Sequence, residues 1–153
     1  MDQRLRSSEL VPSGFKVDRV TIEGTDIVIT IRHRNIVGIC PSCGQASRRV
    51  HSRYCRRVAD LPLSGRRVRL IVVARRFRCD AVPCRRRIFA ERFGNTVLAP
   101  SARRTARLDF VVHHLGLALG GRPAASFARR LMVPVSNDTL LRVVRRRCRL
   151  PHQ

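Results

Sequence analysis

Two short stretches, Cys40-Pro41-Ser42-Cys43-Gly44 and Cys79-Asp80-Ala81-Val82-Pro83-Cys84, decide how this chain is read. The first is a knuckle: a tight turn aims two thiolates at one point, and Gly44 lets backbone amides approach the sulfurs. The second pair has four residues between its cysteines. Four thiolates suit a closed tetrahedral Zn²⁺ site with Zn–S of about 2.3 Å. A disulfide framework is disfavoured, because the start MDQRLRSSELVPSGF has no apolar core of a secretory signal. Cys43 and Cys79 are far enough apart that an inserted hairpin is expected between them. Cys55 and Cys148 have no partner in sequence, and Cys148 is expected to face a helix core. His51 and Cys55 are the alternative ligands.

The region around the four cysteines is rich in arginine, so a metal clip is expected to supply folding energy that a small core cannot, on the order of 10 kcal/mol. Strand-like stretches run over Val68–Phe77 and Arg87–Phe89, with turns at Pro41, Pro62, Ser64-Gly65 and Pro83. They read as an antiparallel, zinc-ribbon-like β unit spanning residues 36–99. Before it, Phe15–Ile22 and Ile27–Arg32 flank a Gly24 turn and read as a β-hairpin within residues 1–35, with Ile27, Ile29 and Ile31 on one face.

After Pro100 the period changes. Leu108, Val111, Val112, Leu115 and Leu119 recur at helical spacing, with Ser101 as the expected cap and Gly120-Gly121 as the stop. A second helix has Pro123 in its first turn and Ala124, Phe127, Ala128 and Leu131 on one face, and Pro134 breaks it. Ser136 caps a third, with Asp138 complementing its dipole and Leu140, Leu141, Val144 and Cys148 turned inward. The short connection between the last two suggests a helix-turn-helix in residues 100–153. The fold class is therefore α+β: N-terminal hairpin, ribbon-like antiparallel unit, three-helix C-terminal unit.

Charge narrows the partner. The 153 residues carry 32 Lys+Arg against 10 Asp+Glu, a net +22. Residues 1–35 contribute only +1, residues 36–99 contribute +12 and residues 100–153 contribute +9. A field of this size favours a polyanion, nucleic acid before an anionic membrane surface. No apolar run approaches the ~18 residues of a membrane span, so a soluble, cytoplasmic protein is expected. Aromatics are scarce, with no Trp, one Tyr and six Phe, which argues against a base-stacking RNA platform. The candidate DNA contacts are Arg75, Arg76, Arg78, Arg85, Arg86 and Arg87 around the metal, and Asn137, Thr139, Arg142, Arg145, Arg146 and Arg149 on the third helix. In a helix-turn-helix the N-terminal residues of that helix approach base edges, where Asn137 would suit adenine and Arg142 guanine.

The sequence resembles a known family at Cys40–Gly44, Arg49–Tyr54, Asp60–Gly65, Arg75–Cys79, Cys84–Arg92, Ala102–Leu108 and Gly120–Arg130. Together these stretches look like the N-terminal region of insertion-sequence transposases of the ISL-three family. The resemblance implies a zinc ribbon plus helix-turn-helix that recognises the terminal inverted repeats of a mobile element, with nucleoid-associated double-stranded DNA as partner. It also implies a homodimer or a full-length transposase as protein partner. In the family a downstream RNase H-like domain with a carboxylate triad cuts and joins DNA. This sequence stops at Gln153, and after Pro100 only Asp109 and Asp138 are acidic. The expectation is thus a DNA-binding fragment or truncated copy with no strand-transfer activity. The rivals are an RNA-binding zinc-ribbon protein and a truncated regulator that blocks a full-length enzyme.

Overall fold

The computed structural model describes residues 10–148. Its elements, in chain order, are β1 (Phe15–Glu23), β2 (Asp26–His33), β3 (Gly38–Ile39), β4 (Ala46–Ser47), β5 (Val50–Leu63), β6 (Arg66–Arg78), β7 (Ile88–Ala90), α1 (Ala106–Leu119), α2 (Gly121–Arg130) and α3 (Asn137–Cys148). The chain is α+β, with a mostly antiparallel sheet followed by three helices.

The N-terminal hairpin forms as its pattern predicts, β1 antiparallel to β2 with a register shift between Val17 and Arg19. It does not stand apart from the ribbon. The sheet order is β1-β2-β6-β5, and β2 runs parallel to β6, with Ile27, Ile29 and Ile31 opposite Val68, Leu70 and Val72. Within residues 36–99 the pairs β3–β4, β5–β6 and β6–β7 are antiparallel as expected, and the hairpin joins that unit through this one parallel junction. A parallel pair needs a long crossover, and the knuckle, β3, β4 and β5 together supply it.

The hairpin expected between the cysteine pairs is β5 and β6, 14 and 13 residues long. Successive residues of a strand face opposite sides, so Val58 on β5 and Val68, Leu70, Val72 and Ala74 on β6 join Phe15, Ile27, Ile29 and Ile31 in one core. Phe93 and Leu98, from the segment after β7, cover it. The ribbon therefore shares a substantial apolar core with the N-terminal hairpin, larger than the small core expected for a unit that leans on its metal. The apolar positions of β5 are separated by arginines, which hides the alternation in the sequence.

The helices have a second core of Leu108, Val112, Ala124, Ala125, Ala128, Val133, Val135, Leu140 and Val143, to which Ala59 and Leu61 of β5 contribute. Several helical expectations are corrected. Thr105, not Ser101, caps α1: its hydroxyl accepts from Leu108 N–H at 3.3 Å. Ser101 sits in a turn with φ of 59°, and the chain must then pair Arg103 and Thr105 with Ala59 before a helix can begin. Phe127 and Leu131 are exposed, because Ala124, Ala125 and Ala128 already fill the α2 contact. Leu119 is exposed, and so is Cys148, since α3 buries Leu140 and Val143 instead. Ser136 does cap α3, accepting from Thr139 N–H at 3.3 Å. The connection Leu131–Ser136 has six residues, longer than the roughly three to four of a tight helix-turn-helix turn.

Candidate metal centre and basic surfaces

The knuckle forms because Gly44, with φ of +73°, lets the chain double back: Gly44 N–H donates to Cys40 O and Cys40 N–H to Gln45 O, both at 2.9 Å. Opposite it, the end of β6 and the turn before β7 carry Cys79 and Cys84. Cys79 N–H donates to Arg87 O at 2.9 Å, which closes this second loop. The sulfurs of Cys40, Cys43, Cys79 and Cys84 all lie within 4.8 Å of one another. Cys40 Sγ is 3.9 Å from Cys84 Sγ, and Cys43 Sγ is 3.6 Å from Cys79 Sγ. A tetrahedron with Zn–S of about 2.3 Å has edges of about 3.8 Å, so the residues fit a closed Zn²⁺ site. Among the described residues this is the one such grouping of three or more metal-capable side chains. His51 and Cys55 are outside it: His51 contacts Ser52, and Cys55 is exposed on β5.

The environment of the four thiols is uneven. Cys40, Cys79 and Cys84 are buried and pack with Phe77 and Phe89; Cys43 is exposed. Burial raises the Cys40 thiol, but the N–H groups of Ser42 and Cys43 aim at its sulfur and, with the neighbouring thiols, bring it down to about 7. Cys79 receives the N–H of Ala81, yet burial and the three other cysteines push it up to about 12. Four thiolates cannot share this volume without a cation, and a divalent metal is the group that lets all four deprotonate.

Residues 36–84 match a family model described as the zinc-finger of transposase IS204/IS1001/IS1096/IS1165, and the match ends on the fourth cysteine. The segment is similar to the zinc ribbon of ISL3-type transposases. No curated protein and no solved structure matches the chain.

The arginines expected to surround the ribbon divide into two sets. Arg78, Arg85, Arg86 and Arg87 are exposed beside the metal centre; Arg86 donates to Ser42 Oγ at 2.8 Å, and Arg78 and Arg87 line a shallow pocket with His51. Arg76 is exposed with its guanidinium 4.6 Å from the Tyr54 ring centre. Arg75 is engaged internally: it pairs with the buried Glu91 and donates to Asn35 O. On α3, Arg142 and Arg145 are exposed, while Arg146 pairs with Asp109 of α1. Thr139 is half-buried, its hydroxyl accepting from Ser136 Oγ at 2.9 Å. Asn137 turns inward, its Oδ1 buried without a partner and set against Gly121. Arg149 lies outside the described residues. Among those residues no helix is long and apolar enough to cross a membrane.

Sequence reading missed Arg49, which pairs with Asp80 at 2.7 Å across the ribbon's tip. It also missed Asp60, buried at the junction with α1. Both open stretches that carry the family resemblance, but their partners, Asp80 for Arg49 and Thr105 with Arg107 for Asp60, lie far along the chain.

Proposed function

We propose that this chain is the DNA-binding module of a transposase, recognising the terminal inverted repeats of a mobile element through its four-cysteine zinc ribbon and a helix-turn-helix. The observation that carries the reading is the four-sulfur cluster inside a segment matching a transposase zinc finger. In support, 32 Lys+Arg face 10 Asp+Glu, and Arg78, Arg85, Arg86, Arg87, Arg142 and Arg145 are exposed. Residues 36–99 act as the ribbon domain, 100–153 as the helical domain, and 1–35 as the hairpin that extends the ribbon's sheet.

Arginines at the ribbon contact phosphates, which position a protein without reading sequence. The groove element in this reading is α3. Arg142 and Arg145 contact bases or phosphates, and Thr139 lies near its N-terminal end. Asn137 would read adenine only after turning outward, so the reading gives it a lesser part than Arg142. A second copy or a full-length transposase is the protein partner, and the cytoplasm, at the nucleoid, is the location. Strand cutting and joining are not assigned to these residues.

The test is binding of the zinc-loaded chain to duplexes bearing the element's ends, against scrambled duplex and RNA, across a salt series. Contact with about six phosphates gives a log–log salt slope of roughly −5. Arg142→Ala should reduce the preference for the terminal repeat, and Arg86→Ala should weaken all duplexes alike. Tighter binding to RNA at equal salt would overturn the reading.

A further inference from the structure

The two faces of the sheet have different surroundings. One carries the core described above. On the other, the register sets Arg19 beside Thr30, Ile71 beside Arg57, Val73 beside Cys55 and Arg75 beside Arg53. Ile71 and Val73 are half-buried there, whereas Arg19, Arg53, Cys55 and Arg57 are exposed. The cations nearest them are already compensated: Arg32 by Asp18, Arg67 and Arg69 by Asp26, Arg75 by Glu91. Among the described residues Arg19, Arg53 and Arg57 have no acidic partner.

Position matters as much as charge. Val50, at the start of β5, packs against the cysteine cluster; Ala59 and Leu61, near its end, pack against the helices. The open face therefore links the metal centre to the helical unit. The strand between them measures about 30 Å at about 3.3 Å per residue, close to one turn of B-DNA at about 34 Å. Arg53 and Arg57 point to the same side of β5, about 13 Å apart, near the roughly 12 Å width of a major groove.

We propose that this open sheet face is a third contact surface for duplex DNA, a phosphate-binding saddle between the ribbon and the helices. The inference rests on the DNA-binding reading above and deepens it. Arg53 and Arg57 hold the phosphates that border one groove, with Arg19 at the far edge. Ile71 and Val73 give the surface a stiff floor without competing hydrogen-bond acceptors. The saddle carries no base recognition, so its contribution is equal for all sequences.

The test uses the full zinc-loaded chain with Arg53→Gln and Arg57→Gln combined, and a second protein with Arg53→Lys and Arg57→Lys. Both sites are exposed, so zinc content and thermal midpoint should match the parent. On a duplex of about two turns, the glutamine pair should lower the magnitude of the salt slope by about 2 and weaken binding about tenfold at moderate salt, for terminal and scrambled duplex alike. The lysine pair should retain the parental slope. A parental slope in the glutamine pair overturns the saddle and leaves the DNA-binding reading intact. Failure of the parent to bind duplex at low salt overturns that reading, and the saddle with it.

Discussion

Asp60 of β5 and Thr105 at the N-cap of α1 are joined by a hydrogen bond of 2.7 Å, donated by the threonine hydroxyl to a carboxylate that is 3% exposed. The same carboxylate pairs with Arg107, which also donates to Leu10 O at 2.8 Å. The Thr105 hydroxyl in turn accepts from Leu108 N–H. One acidic side chain thus ties the sheet, the first helix and the N-terminal segment together. Asp60→Ala leaves Arg107 and Thr105 without their shared partner and is expected to destabilise the fold by about 3 kcal/mol. Asp60→Asn keeps an acceptor for Thr105 and should cost less. Denaturant melts of the two variants check the order; equal stability of Asp60→Ala and parent would show that the junction contributes nothing.

The metal centre leads to a different expectation. Phe77, Phe89 and the cysteines form their own small cluster, separate from the core under β2 and β6. Cys79→Ser should reduce bound zinc from about one per chain to substoichiometric levels and loosen residues around the knuckle and β7. The sheet should survive. Amide exchange would show this as lost protection near Cys40 and Phe89 with protection retained at Leu70 and Val72. Global unfolding on metal removal would mean that the sheet core is not self-sufficient.

The cysteines are legible in the sequence because ligands to one ion come in short, local pairs, and Ser136 is legible because a cap acts on its own helix. What the sequence hides is decided by partners far along the chain. β5 reads as polar because Arg53 and Arg57 alternate with core-facing residues, and its register against β6 cannot be seen locally. The parallel pairing of Ile29 with Leu70 joins strands on either side of the whole knuckle. Ser101 and Thr105 are equally capable caps, and only the pairing of Thr105 with Ala59 selects between them. Asn137 looks available for base contact because nothing in the sequence shows that Gly121 leaves room for its side chain.

Gly116 of α1 lies directly against α3. A Cβ there would lie 2.6 Å from Val144 Cγ2 and 3.3 Å from Leu140 Cδ2. Gly116→Ala gains helix propensity of about 1 kcal/mol, but overpacking typically costs about 1–3 kcal/mol. The packing term should win, because the nearest atom belongs to Val144, whose β-branched side chain is stiff at χ1, and Leu140 behind it is fully buried. The expected result is a lower thermal midpoint with unchanged zinc content. A raised midpoint would show that α3 shifts freely on α1.

Zinc affinity should depend on pH with a definite sign. Each ligand must be a thiolate to bind, so metal uptake releases protons and strengthens as pH rises. The Cys40 thiol, at about 7, is about half ionised at neutrality; Cys79, pushed up to about 12, gives up its proton only to the metal. Near pH 8 the protons released on binding should come from the raised thiols, Cys79 and Cys43 among them, because Cys40 is already largely ionised. Below pH 7 Cys40 must be deprotonated as well, so the dependence should steepen by about one further proton. Competition with a chelator between pH 6 and 9, corrected for the chelator's own protonation, measures the slope. A flat profile would mean that the four sulfurs do not all ligate as thiolates, and the tetrahedral assignment would fall with it.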